Sequence, residues 1–222
     1  MSRVNRATAT QSFGVSFTVG LYGTAFGAAS IAAGFSVLQT CLLSLLTFSG
    51  ASQFAVAGIM GAGGTAISAI ATASLLGTRN MLYALRMAPL LRVTGIKKVI
   101  AAHITIDEST GVAISQEKLG TQAMKQGFWL TGFGVYTFWN SFTLLGALGA
   151  QAMGNPSAWG LDAAVPAAFL GLLWPNLTNN FERVLAVSAL VMAVVLSPVL
   201  SAGLPIISTV VLAVVFGWKA RI

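Results

Sequence analysis

Charge is scarce in this sequence. Of its 222 residues, only 8% are Asp, Glu, Lys or Arg, whereas 56% are hydrophobic. A soluble domain carries about 25% charged residues, so this chain has too little charge to cover a water-facing surface. Basic residues outnumber acidic ones, 12 to 5, but they lie between apolar runs, which argues against a nucleic-acid partner. The composition predicts an integral membrane protein whose partner is the lipid bilayer, folded as one membrane domain over residues 1–222.

Cysteine and histidine are equally scarce, with one residue of each, Cys41 and His103. A single cysteine excludes a disulfide scaffold. His103 has no second histidine and no cysteine nearby, so we expect no metal site. Neither a cofactor nor a catalytic residue is predicted.

Charge-free apolar runs predict the membrane spans. Residues 7–78, 126–161 and 184–218 carry no charge. A charge at the bilayer centre costs about 2.5 kcal/mol or more, so charge-free runs of about 20 residues indicate helices that cross the hydrocarbon. The runs lack the alternation of barrel strands, which favours an all-α protein. The predicted spans are 12–33, 37–60, 64–92, 127–149, 161–180, 184–201 and 203–218.

The third run is irregular, and we predict that it divides at Arg79-Asn80, which makes eight spans instead of seven, some of them short or broken. The positive-inside rule places 92–126, 182–183 and the C-terminus in the cytoplasm. Eight spans place Arg3 and Arg6 there too, whereas seven would place them outside. A signal peptide is the alternative for the first run, but that run is longer than the 7–15 residues of an h-region.

Polar residues interrupt the second run within FSGASQF at 48–54. Gly50 weakens a helix, and Ser49, Ser52 and Gln53 share a helix face by their i, i+3, i+4 spacing. Discontinuous helices expose backbone groups that bind charged substrates. We predict substrate binding by Ser49, Gly50, Ser52 and Gln53; the alternative is hydrogen bonding between helices.

Two more substrate-binding candidates, Arg79 and Asn80, stand between apolar runs. An arginine there is costly unless it has a role, and contact with a substrate carboxylate is one. The alternative is an interfacial arginine that extends its head group to water.

The segment AHITIDES at 102–109 holds His103 and two adjacent acids, Asp107 and Glu108. Ionisable groups near the membrane mark ion paths, so these three residues are the proton-coupling candidates. A solvated cytoplasmic loop is the alternative.

Trp139 and Asn140 lie near the middle of the aromatic-rich span 127–149. An interfacial aromatic belt does not explain this position. We predict that they line a pocket for an apolar side chain, with plain packing as the alternative.

The order of four motifs resembles the AzlC family, the large subunit of branched-chain amino acid exporters. The motifs are FSGASQF at 48–54, RNMLYAL at 79–85, AHITIDES at 102–109 and LDAAVPAAF at 161–169. The resemblance implies a multi-pass permease of the bacterial inner membrane. It implies export of valine, leucine, isoleucine and sometimes methionine, coupling to the proton gradient, and a small hydrophobic AzlD-type partner subunit.

Two other classes remain open. A channel or a structural membrane subunit without amino-acid transport is the main alternative. An intramembrane enzyme would need Ser49 or Ser52 as a nucleophile beside His103, and we expect that geometry to be absent. Gly20, Gly23 and Gly27 form one small-residue face of the first predicted helix. This face permits close approach by another helix, either from the partner subunit or from within the chain.

Overall fold

The computed structural model describes residues 6–154, 158, 164–174 and 177–219, and these residues form helices without any strand. The predicted all-α class is therefore confirmed for the described part of the chain. The helices are α1 Arg6–Ala32, α2 Val37–Leu46, α3 Gly50–Gly61, α4 Ala66–Leu91, α5 Ile96–His103, α6 Asp107–Ser115, a 3₁₀ turn Glu117–Leu119, α7 Thr121–Ala152, α8 Ala164–Leu173, α9 Asn180–Leu196, α10 Leu204–Ser208 and α11 Val210–Lys219.

The predicted single helix over 37–60 is wrong, because the chain breaks at 47–49 into α2 and α3. Ser36 begins α2 with a capping box: its hydroxyl accepts from the Gln39 N–H (3.2 Å) and its own N–H donates to the Gln39 side chain (2.8 Å). After the break, Ser49 is extended (φ −157°) and α3 starts at Gly50 without a side-chain cap. The glycine and the two serines of the motif are poor helix-interior residues, which explains the position of the break.

The predicted division at Arg79-Asn80 is also wrong, because α4 runs without interruption from Ala66 to Leu91. Thr65 caps its start by accepting from the Ser68 N–H (3.1 Å). Pro89 lies two residues before the last helical residue, so the helix ends within one turn of a residue that lacks the N–H for an i→i−4 hydrogen bond.

Helices α1 and α7 pack side by side and run in the same direction. Gly20 lies against Phe138, Gly23 against the backbone of Trp139, and Gly27 against the backbone of Thr143. A Cβ at Gly23 would lie 2.5 Å from the Trp139 carbonyl oxygen, so only glycine permits this approach. The glycine face of α1 is therefore occupied inside the chain and is not free for a partner subunit.

Helices α2 and α3 form a hairpin, and both of its outer ends lie at the C-terminal end of α1. α2 starts five residues after Ala32, and Gly61 at the end of α3 packs so closely on Ala33 that a Cβ there would lie 3.1 Å from the Ala33 Cβ. The turn of this hairpin lies at the middle of α7, where the Phe48 and Tyr136 rings are 5.0 Å apart. The chain thus enters and leaves on the same side, and we call α2–α3 the first hairpin.

Helices α5 and α6 form a second hairpin that comes from the other direction. Its turn also reaches the middle of α7, where the His103 and Tyr136 rings are 5.6 Å apart. Its far end returns to the start of α1, where Thr8 donates to the Gln116 side chain (2.9 Å). Residues 96–115, expected on the cytoplasmic side, therefore form two helices instead of a loop, and their position relative to the membrane stays a prediction.

The two halves repeat one pattern in opposite directions: a long helix and then a hairpin, α1 with α2–α3 and α4 with α5–α6. We call the end where α1 and α7 start the basic end, because it carries Arg6, Arg86, the 92–98 basic residues, Lys118 and Lys125. The other end, which holds Ala33 and Gly61, is the opposite end. Arg6 and the basic residues of 92–98 therefore lie at the same end of the fold, although α4 is not divided into two spans.

The remaining predicted spans are partly confirmed as helices. Span 12–33 is α1, 127–149 lies within α7, and 184–201 overlaps α9, whereas 203–218 is divided into α10 and α11. The start of 161–180 lies outside the described residues. Judged by length and apolar character together, α1 alone in the described part of the chain qualifies as a membrane-crossing helix.

Candidate functional site

The turns of the two hairpins meet beside the middle of α7, and we call this region the junction. The His103 ring nitrogen Nε2 lies 3.0 Å from the Leu45 carbonyl oxygen at the end of α2, and the Tyr136 hydroxyl donates to the same oxygen (3.5 Å). The Phe48 and His103 rings are 5.9 Å apart. The junction thus joins both hairpins to α7 through one carbonyl group and one aromatic cluster.

Gln53 connects the first hairpin to α7. It is fully buried, its Oε1 accepts from the Trp139 indole N–H (2.8 Å), and its Nε2 donates to the Ser44 carbonyl (3.3 Å). Gly50 lies under the Trp139 ring, where a Cβ would be 2.9 Å from the indole. Both ends of the Gln53 amide are satisfied, so in this conformation its side chain positions the hairpin, and its contact with a substrate stays a prediction.

Ser49 and Ser52 lie at the N-terminus of α3. Their hydroxyl oxygens are 3.1 Å apart, and Ser52 donates to the Ala73 carbonyl of α4 (2.8 Å). No side chain caps this helix, so the first N–H groups of α3 and the positive end of its dipole stay open at the junction. Such a terminus favours a carboxylate.

Arg79 and Asn80 lie on α4 across from α6. Arg79 Nη1 is 3.4 Å from an Asp107 carboxylate oxygen, and the two side chains are 40% and 43% exposed. Arg79 Nε and Asn80 Oδ1 are shielded from solvent and have no hydrogen-bond partner in the described structure. An arginine with an unused donor and an accessible head group is equipped to bind a second anion.

Asp107 and Glu108 begin α6, where the helix dipole stabilises negative charge. Ser109 shapes this start, because its hydroxyl accepts from the Ile106 N–H (3.0 Å) and donates to the Ile104 carbonyl (2.8 Å). The turn therefore holds two acids at the junction, one paired with Arg79 and one half-buried beside it.

Trp139 and Asn140 have different roles in the structure. Trp139 is buried and its ring packs against Phe26 and Phe54 at 6.4 Å. Asn140 donates to the Tyr136 carbonyl (2.7 Å), while its Oδ1 has no partner in the described structure. Trp139 thus belongs to the wall of the junction, and Asn140 offers a free acceptor.

The structure does not form the serine–histidine dyad of an enzyme. His103 Nε2 is occupied at the Leu45 carbonyl, and Ser52 donates to Ala73. Sequence reasoning missed Phe48, Tyr136 and the turn of the second hairpin. Gly95 and Gly120, both at positive φ, mark the limits of this hairpin and were the available signal. The motif at 161–169 begins outside the described residues.

Two long helices and two opposed hairpins whose turns meet beside α7 define the class: an all-helical protein with discontinuous helices, a feature typical of secondary transporters. The family model "AzlC protein" matches residues 14–153, and the chain belongs to that family. It is 28% identical over 161 residues to inner membrane protein YgaZ of Escherichia coli (strain K12). That match covers 71% of this chain and 63% of YgaZ, so the chain spans less than two thirds of its relative's length. No solved structure matches.

Proposed function

We propose that this protein is the large subunit of an inner-membrane permease that exports branched-chain amino acids. The observation that carries the proposal is the junction, where two opposed hairpins bring an open helix N-terminus, Arg79 and two acids together at the middle of α7. Family membership and the name of the bacterial relative, an inner membrane protein, support a place in the inner membrane.

In this proposal the chain crosses the bilayer six times. α1, α4 and α7 have 27, 26 and 32 residues, which exceeds the about 20 residues that span the hydrocarbon. Each helix of the two hairpins has 8 to 12 residues and reaches only halfway. The 161–180 segment, α9 and α10–α11 supply the other crossings. The basic end then faces the cytoplasm with both termini, in agreement with the positive-inside rule.

The substrate is bound at the junction as a zwitterion. Its carboxylate is held by the N-terminus of α3 at Ser49–Ser52 and by Arg79, both of which favour an anion. Its ammonium group is held by Asp107 and by the free acceptor of Asn80. The aromatic wall of Trp139 receives the aliphatic side chain, and burial of about 0.8 kcal/mol per CH₂ favours valine, leucine, isoleucine and methionine over smaller amino acids.

Proton coupling is assigned to Asp107 and Glu108. Two adjacent acids close to one arginine repel each other, so protonation of one of them loosens the pair with Arg79. A substrate carboxylate and Asp107 then compete for the same guanidinium. His103 lies on the other side of the turn and is the third candidate.

The partner is a small hydrophobic AzlD-type subunit, an assignment that rests on family membership. The glycine face of α1 is filled by α7, so the partner binds another surface of the chain. Co-expression with the partner should raise efflux and detergent stability, since a partner that binds only the folded state stabilises it. Full transport by the purified chain alone in liposomes would contradict this part.

Efflux tests the proposal most simply. Cells fed with valine-containing dipeptides should accumulate less intracellular valine when they express this protein with its partner. Arg79→Gln should abolish the difference. Arg86→Gln is the matched control, because Arg86 is also on α4 and also paired, with Glu117 at 3.8 Å, but lies away from the junction. Equal efflux by both variants, or no efflux by the unmodified pair, would contradict the proposal.

A further inference from the structure

A row of buried hydroxyl groups runs between α1, α6 and α7. On α1, Thr8, Ser12 and Ser16 occur at intervals of four residues and therefore share one face. All three are at most 2% exposed. Ser16 donates to the Thr131 carbonyl of α7 (3.3 Å), which places this face against α7. Together with Thr131 they form what we call the hydroxyl seam.

Two hydroxyls of the seam have no partner. Ser12 and Thr131 are 2% and 0% exposed, and their oxygens make no hydrogen bond in the described structure. A buried hydroxyl without a partner costs free energy, and alanine or valine would fill the same space without that cost. Two such groups on one seam point to a polar ligand or water that they meet in another conformation.

Gln116 closes the seam at the basic end. It accepts from Thr8 (2.9 Å) and donates to Gln11 and to Ser115 (3.0 Å). Gln11 in turn donates to Ser115 (3.1 Å). These bonds fasten the start of α1 to the end of the second hairpin, so the basic end is shut by polar side chains rather than by an apolar plug.

At its inner end the seam reaches the junction. Gly132, next to Thr131, packs on Ile104 in the turn of the second hairpin. A cavity of about 1020 Å³ lies between α1, α3, α4 and α9 near the opposite end and reaches Phe54 beside the junction. The described structure thus has a cavity between the opposite end and the junction, and hydrogen-bonded polar side chains at the basic end.

We infer that the hydroxyl seam is the route by which the charged head group of a zwitterionic solute passes between the basic end and the junction, and that Gln116 is its gate. The inference rests on the proposed function and adds the route and the gate residue to it. In the other conformation the hairpin end moves from α1, water enters, and Ser12 and Thr131 gain partners.

Thiol labelling tests the gate without any assumption about the substrate. The background is Cys41→Ser, which removes the one native cysteine, and the reporter is Ser12→Cys, between Thr8 and Ser16 on the seam. A membrane-impermeant maleimide is added to inverted vesicles, which present the cytoplasmic face. Labelling should be slow in the background and roughly tenfold or more faster with Gln116→Ala, which removes the hydrogen bonds to Thr8, Gln11 and Ser115.

Two variants keep the test decisive. Thr8→Val keeps the side-chain shape and removes one of the hydrogen bonds of Gln116, so it should accelerate labelling, but less than Gln116→Ala does. It still tests the gate if Gln116→Ala folds poorly. Gln151→Ala makes the same change at the exposed opposite end of α7 and should have no effect.

Unchanged labelling in both gate variants would overturn the inference, and so would fast labelling without a gate variant, since the hydroxyls would then be hydrated in this conformation. Valine efflux is measured in the same variants. If valine efflux does not depend on the protein while labelling responds to the gate variants as expected, the proposed substrate is contradicted and the gate is not.

Discussion

The Gln53–Trp139 hydrogen bond offers a quantitative test of the first hairpin. Gln53→Leu keeps the side-chain volume but leaves the buried Trp139 N–H and the Ser44 carbonyl without partners. Each orphaned group costs about 1–3 kcal/mol, so the free energy of unfolding should fall by about 2–6 kcal/mol. For a chain of this size the melting midpoint in detergent should fall by at least about 4 °C.

The double variant separates positioning from substrate contact. Trp139→Phe with Gln53→Leu removes the donor and its acceptor together, and should recover about 1–2 kcal/mol relative to the sum of the single variants. If Gln53 only positions the hairpin, valine efflux should recover in parallel with the melting midpoint. If Gln53 also contacts the amino acid, efflux should stay low in a stable protein. Additive losses of stability would refute the proposed geometry.

The other predictions concern the acids and the glycine face. Asp107→Asn and Glu108→Gln should lower efflux several-fold or flatten its dependence on external pH, whereas Glu117→Gln should not; equal tolerance at all three positions would support a plain solvated loop. Gly27→Ala should destabilise the protein in a thermal melt, because its Cβ meets the backbone of α7, whereas Gly149→Ala, with nothing within 4 Å, should be neutral or slightly stabilising; the reverse order would contradict the parallel packing of α1 and α7.

The sequence was informative about where helices weaken. The polar residues around Gly50 correctly indicated a special point in the second apolar run, but the direction of the chain after that point depends on distant contacts. Phe48 with Tyr136 and Gly61 with Ala33 turn the run back on itself. Hydropathy measures the length of an apolar run. It does not distinguish a helix that crosses the membrane from a hairpin that turns back to the side from which it entered.

The other errors have related causes. Arg79 and Asn80 looked like a helix break because they are polar, yet both are compatible with a helix, and α4 continues through them. Residues 96–115 looked like a loop because they carry charges both at the hairpin's outer end, at Lys97 and Lys98, and at its turn, at Asp107 and Glu108. The ion pair of Arg79 with Asp107 joins segments 28 positions apart, and neither residue alone predicts it.

The central claim is that residues 37–60 enter and leave on the same side. In the Cys41→Ser background, single cysteines at Ser36, Ala62 and Lys118 are labelled in intact cells and in inverted vesicles with an impermeant maleimide. The account predicts that positions 36 and 62 react from the outer face and position 118 from the cytoplasmic face. Reaction of positions 36 and 62 from opposite faces would establish a single spanning helix and contradict the account.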